Sequence, residues 1–138
     1  LNNYTYDEIT IGQKESFKVS ITGAMLETFK ELTGDLNPLH ADGGYAGEHG
    51  YDGRVAYGML TASFMSTLAG VYMPGERSLI KEVHVKFARP VYPGDELEVI
   101  GEVTEKHDGF GMIVLKVTMR NDKGEKVLRG TMDIMVRE

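Results

Sequence analysis

The chain has 138 residues, no cysteine and a net charge of −6. A single domain spanning 1–138 can bury about 68–70% of its unfolded surface, enough for a core without covalent staples, and the missing thiols exclude disulfides, thiolate nucleophiles and cysteine-ligated zinc or iron–sulfur centres. An acidic balance without a basic run speaks against nucleic acid, and with no basic-then-apolar leader at the start, a cytoplasmic protein is expected.

Residues 1–14, with Tyr4, Tyr6, Ile9 and Ile11, predict an irregular arm. Over 15–21, Phe17, Val19 and Ile21 alternate with Ser16, Lys18 and Ser20, the pattern of a half-buried strand. Thr22 can cap a helix from about Ala24, with Met25, Phe29 and Leu32 as its apolar face and Gly34 as its stop. In 33–42, Pro38 lacks an N–H and biases Asn37 away from helical dihedrals, which predicts a loop rather than a helix. Asp42 can cap a short turn through Ala46, and Gly47 to Gly53 forms a glycine-rich link.

From Val55 to Gly75 no residue is charged. Those 21 positions fall within the length range of a membrane span, but Thr61, Ser63, Ser66, Thr67 and the Pro74-Gly75 ending favour a buried helix over 57–72 in a domain that does not enter a membrane. Strands follow. Val83, Val85 and Phe87 alternate with charged or polar neighbours in 79–89, and Leu97, Val99 and Val103 do so in 96–106. Segment 110–120 is apolar on both faces, as a central strand would be, and in 126–136 Leu128, Met132, Ile134 and Val136 share a face. Turns are expected at Pro93-Gly94-Asp95, His107-Asp108-Gly109 and Asn121–Gly124. Hairpin-linked strands pair antiparallel. The expected class is therefore α+β: a curled, mostly antiparallel sheet wrapped around one long central helix.

The chemistry concentrates in Thr33–Met59. Asp35 and His40 flank Pro38, so a stiff segment carries a carboxylate and an imidazole, the side chains of general acid–base catalysis. Asn37 suits the turn. Gly58 falls at the start of the buried helix, where free N–H groups and the helix dipole favour negative charge. His49, His84 and His107 look like surface or turn residues, and Arg54 like a solvated charge. No cluster of metal ligands is evident.

With the element order, the run Gly34-Asp35-Leu36-Asn37-Pro38-Leu39-His40-Ala41-Asp42 resembles the MaoC-like family of (R)-specific enoyl-CoA hydratases, which has the hot-dog fold. Val55-Ala56-Tyr57-Gly58-Met59 and Phe87-Ala88-Arg89-Pro90-Val91-Tyr92-Pro93-Gly94-Asp95 extend the likeness over nearly the whole chain. The resemblance implies reversible hydration of trans-2-enoyl-CoA to (R)-3-hydroxyacyl-CoA. It assigns the acid–base work to Asp35 and His40, and contact with the thioester carbonyl to the Gly58 N–H. It gives Ser66 a place near the acid, and Asn37 and Tyr57 supporting roles. It further implies an acyl-CoA partner, no metal or cofactor beyond the coenzyme A of the substrate, and a homodimer or dimer-based homo-oligomer. Tyr57 departs from the family, which commonly has histidine there. The same fold hosts thioesterases and non-catalytic acyl-thioester-binding subunits, and these remain the alternatives. Against the first, Tyr57–Met73 holds no Asp or Glu, whereas thioesterases of this fold often carry their carboxylate on the long helix.

Overall fold

In the computed structural model, which describes residues 1–138, the N-terminal arm is tied down at two points. Asn3 bridges Gly75, and a 3₁₀ turn at Tyr6–Glu8 brings Ile9 into the core. Strand β1 is Lys14–Ser20. Helix α1, Gly23–Thr33, starts where the Thr22 hydroxyl accepts the Met25 N–H at 3.1 Å. It stops at Gly34, whose φ of 72° is the left-handed conformation that glycine adopts without steric cost. Its core contact differs from the expected stripe. Leu26 is fully buried, Met25 and Phe29 are half-buried, and Leu32 is exposed because the last turn of α1 overhangs the core.

The expectation of a loop over 33–42 is corrected. Pro38–Ala41 form a one-turn helix, α2. Pro38 occupies its first position, where a missing N–H costs nothing and the fixed φ suits the helix. Asn37, non-helical at φ −55° and ψ 124° as the cap, accepts the Leu39 N–H at 3.0 Å. Asp42 then caps α3, Gly43–Glu48, through the N–H groups of Gly44 and Tyr45. The central helix α4 is Gly58–Thr67, and it runs on into a π turn at Leu68–Tyr72 that closes with the Met73 N–H on the Leu68 carbonyl. The expected 57–72 element is thus two helical geometries in series.

Strands β2 (Ser78–Phe87), β3 (Glu96–His107), β4 (Met112–Arg120) and β5 (Lys126–Val136) complete one five-stranded antiparallel sheet in the order β1-β3-β4-β5-β2. The doubly apolar segment is indeed the central strand β4, with Ile113, Leu115, Val117 and Met119 fully buried. It starts later than expected. Phe110 lies in the turn before it and is 72% exposed, not on a strand face. At the β4–β5 hairpin the Asn121 side chain accepts the N–H groups of Lys123 and Glu125 at 3.0 and 2.9 Å.

Leu60, Met65, Leu68 and Ala69 of the helical segment share a single core with the inward residues of β3, β4 and β5. Each large apolar side chain fully buried there contributes about 1.5–3 kcal/mol. No helix is long and apolar enough to cross a membrane. β1 and β2 are the sheet edges, and β2 exposes Leu79, Val83 and Phe87.

Candidate active site

His40 is fixed from several directions. Its backbone N–H donates to the Asn37 carbonyl at 3.1 Å, closing α2. Its carbonyl accepts the Arg54 Nε–H at 2.8 Å, and Arg54 in turn donates to the Glu27 carboxylate on α1 at 2.8 Å. Its ring meets the Val55 carbonyl, Nδ1 to O, at 2.7 Å. A carbonyl can only accept, so Nδ1 carries a proton, and in the neutral ring Nε2 is the nitrogen with the lone pair. Arg54 is therefore a strut between α1 and α2, not the solvated charge its sequence context suggested.

Asp35 precedes this turn. One of its carboxylate oxygens accepts the Asn37 N–H at 3.0 Å, and its own N–H donates to the Thr33 hydroxyl at 3.2 Å. Asn37 thus works by capping and by holding Asp35; its side chain is spent on the Leu39 N–H. Tyr57 locks the segment from behind. It is almost fully buried, and its hydroxyl donates to the Asp35 carbonyl at 2.7 Å. Its ring packs on His40 at 4.3 Å between centroids and on Phe29 at 4.8 Å. Burial, then the nearby Asp35 charge, raises the Tyr57 pKa above its ordinary value, so the hydroxyl keeps its proton and remains a donor.

Gly58 is the first residue of α4, and Tyr57 supplies no side-chain cap. The first bond into the helix is the Thr61 N–H on the Tyr57 carbonyl, which leaves the Gly58 N–H without a backbone acceptor. A Cβ at this position would sit 3.0 Å from the Phe87 ring, so the glycine keeps the backbone open at its closest approach to β2.

These residues line a hollow of about 580 Å³ walled by Asp35, His40, Tyr57, Gly58, Phe29 and Phe87. A second, narrower hollow of about 280 Å³ shares His40, Gly58 and Phe87 and runs past Val91, Val127 and Arg89. His40, whose Nδ1 is taken up by Val55, and Gly58, whose N–H has no backbone acceptor, line both hollows. Four of the six residues singled out from sequence gather here or support the hollow directly: Asp35, His40, Tyr57 and Gly58. Asn37 acts one step back. Ser66 is exposed, lines neither hollow, and lies about 12 Å along α4 from Gly58 at 1.5 Å per residue. Sequence reasoning missed Phe87 as a wall residue and Arg54 as a strut. Only the run Phe87-Ala88-Arg89-Pro90 hinted at the first, and nothing local signalled the second. No group of three or more His, Asp or Glu side chains is gathered as metal ligands would be.

A family model described as the MaoC like domain matches residues 7–125. An (R)-specific enoyl-CoA hydratase of Aeromonas caviae is 34% identical over 122 residues, 88% of this chain and 91% of that protein. A 3-hydroxybutyryl-CoA dehydratase of Methylorubrum extorquens is 32% identical over 100 residues, 72% of this chain but 64% of that protein's length. Among solved structures, the unliganded R-hydratase PhaJ1 of Pseudomonas aeruginosa superposes with a TM-score of 0.92 at 33% identity, covering 99% of this chain and 87% of that one.

Proposed function

From the premise that this chain belongs to the MaoC-like domain family, we propose that it hydrates trans-2-enoyl-CoA to (R)-3-hydroxyacyl-CoA, reversibly and without a resident cofactor. The observation that carries the reading is that Asp35, His40 and Gly58 line one hollow, with the His40 Nδ1 taken up by Val55 and the Gly58 N–H without a backbone acceptor. The thioester oxygen accepts the Gly58 N–H, aided by the positive end of α4. Negative charge grows on that oxygen as water adds to the β-carbon, and a donor so placed lowers the barrier by about 3–4 kcal/mol. His40 and Asp35 hold the water between them. One removes its proton during attack, and the pair delivers a proton to the α-carbon. Tyr57 and the Arg54–Glu27 strut hold the two side chains in register, since a small displacement of catalytic groups costs rate steeply.

The acyl end occupies the wider, largely apolar hollow beside Phe29. The carrier arm leaves through the narrower hollow past Phe87 and Arg89. The protein works as a homodimer joined through the free edge of β2, whose exposed Leu79, Val83 and Phe87 support that pairing.

The test is an absorbance assay with crotonyl-CoA. Loss of the conjugated thioester signal, with the thioester bond intact and an (R)-3-hydroxy product, is the expected result. Release of free thiol instead would favour a thioesterase, and binding without turnover a non-catalytic acyl-thioester-binding subunit.

A further inference from the structure

On the face of the sheet turned away from α4, Lys86 of β2, Lys116 of β4, and Lys126 and Arg129 of β5 line one groove of about 520 Å³. None of the four forms an ion pair. The groove has no acidic lining residue, and Thr118 and Thr131 add hydroxyls on its floor. The one other titratable side chain lining it, His84, is engaged with Glu82 at 2.9 Å. In a chain of net charge −6, four unpaired cations in one concavity are a local reversal of sign. They face one another because the register sets Lys86 beside Arg129 and Arg129 beside Thr118 across three adjacent strands. Three strands span roughly 10 Å, the reach of a group carrying several phosphates.

We infer that this groove binds the phosphorylated nucleotide end of the coenzyme A substrate. The inference rests on the enoyl-CoA reading above. Successive side chains on a strand point to opposite faces. Lys86 and Lys126 therefore stand on the outer side of the strand ends whose next residues, Phe87 and Val127, wall the narrow hollow. A thioester held at Gly58 sends its flexible arm along that hollow to Arg89, and the groove lies around the same strand ends. Its volume suits a nucleotide rather than the broad face of a carrier protein, and its ligands are charge-assisted donors of the kind phosphates take.

The test compares wild type with the double variant Lys86→Ala/Arg129→Ala on crotonyl-CoA and on crotonyl-pantetheine, which lacks the nucleotide. Calorimetry with adenosine 3′,5′-bisphosphate runs alongside. The variant should raise KM for crotonyl-CoA by about tenfold or more with kcat unchanged, the loss expected for two charged hydrogen-bond donors. It should leave crotonyl-pantetheine kinetics alone and lose the bisphosphate binding of wild type. Unchanged KM for crotonyl-CoA would overturn the inference. So would an equal KM rise on crotonyl-pantetheine, because the groove would then act on a part of the substrate other than its nucleotide. If wild type turns over neither thioester, the hydratase reading fails on its own. Calorimetry then still decides the groove: bisphosphate binding abolished in the variant supports a phosphate site, and none in wild type overturns it.

Discussion

The His40 ring and the Val55 carbonyl share a hydrogen bond of 2.7 Å through Nδ1, and this one contact settles which ring nitrogen can act as a base. Asparagine can reproduce the donor to Val55 but supplies no second nitrogen. His40→Asn should therefore fold as wild type does and lower kcat by about 10²–10⁴, the usual contribution of a general acid–base group. Steady-state kinetics and a thermal melt on the same preparation check both halves. A variant that melts normally and keeps near-normal kcat would remove His40 from the chemistry.

Asp35→Asn separates charge from shape in the same way. The amide oxygen can still accept the Asn37 N–H that Asp35 accepts at 3.0 Å, so the turn into α2 should survive. A kcat loss of about 10²–10⁴ with an unchanged melt is expected. A comparable loss of stability would show Asp35 to be a structural cap instead.

How much of this was legible without coordinates varies by residue, for physical reasons. The caps at Thr22 and Asp42, the stop at Gly34 and the Asn121 hairpin were readable because each is satisfied within a few residues. The status of Pro38 was misjudged because proline forbids helix interiors but suits helix starts, and only Asn37 as cap decides between them. Leu32 was misassigned because periodicity gives the face of a helix but not how far the helix extends beyond the core. Asp35 and His40 stand out by residue type and spacing, and Gly58 through the family resemblance and its place at a helix start. The strut from Glu27 through Arg54 to His40 joins residues distant in sequence, and no local pattern encodes such a contact.

Tyr57 holds the Asp35 carbonyl with its hydroxyl and packs its ring on His40. Tyr57→Phe keeps the ring and loses one hydrogen bond, so it should destabilise by about 0.5–1.5 kcal/mol and reduce kcat/KM modestly. Tyr57→Ala opens a cavity beside the His40 ring and the Asp35 carbonyl and should cost about 3–5 kcal/mol, with a larger fall in kcat/KM. Urea denaturation and kcat/KM for both variants give the answer. If Tyr57→Phe lost as much turnover as Asp35→Asn, the hydroxyl would be transferring protons and not holding a loop.

The strut also predicts a pH effect. The hydrogen bond from Lys30, and then the Arg54 contact, hold the Glu27 carboxyl below its ordinary value of 4.5. A carboxylate whose folded pKa is depressed adds stability that is complete above the ordinary glutamate range. That stability is lost as the pH falls through that range to the lowered folded value. Between about pH 5 and pH 3, wild type should therefore lose stability more steeply than Glu27→Gln, which has no carboxyl to titrate. Both carboxyl partners are partly exposed, so added salt should shrink the difference. Parallel slopes for the two proteins across this range would mean that the contacts of Glu27 with Lys30 and Arg54 do not contribute to folding.

The last prediction concerns the edge strand β2. Its partner on one side is β5, and its other side offers unpaired N–H and C=O groups. Leu79, Val83 and Phe87 are 44%, 46% and 52% exposed there. A long apolar edge left open invites pairing with another chain, and a second copy laid antiparallel along β2 presents the same residues to the same residues, as a two-fold interface requires. A stable interface of this kind buries roughly 1,200–2,000 Å² in total. Light scattering at micromolar concentration should accordingly give twice the 15.3 kDa chain mass. Val83→Lys places a charge where each strand would meet its copy and should shift the equilibrium toward monomer without disturbing the β2–β5 register. Phe87 walls both hollows beside Gly58, so monomerisation should also lower activity on crotonyl-CoA. A wild-type mass of 15.3 kDa would refute the dimer, and a Val83→Lys protein that remained dimeric would move the interface off this edge.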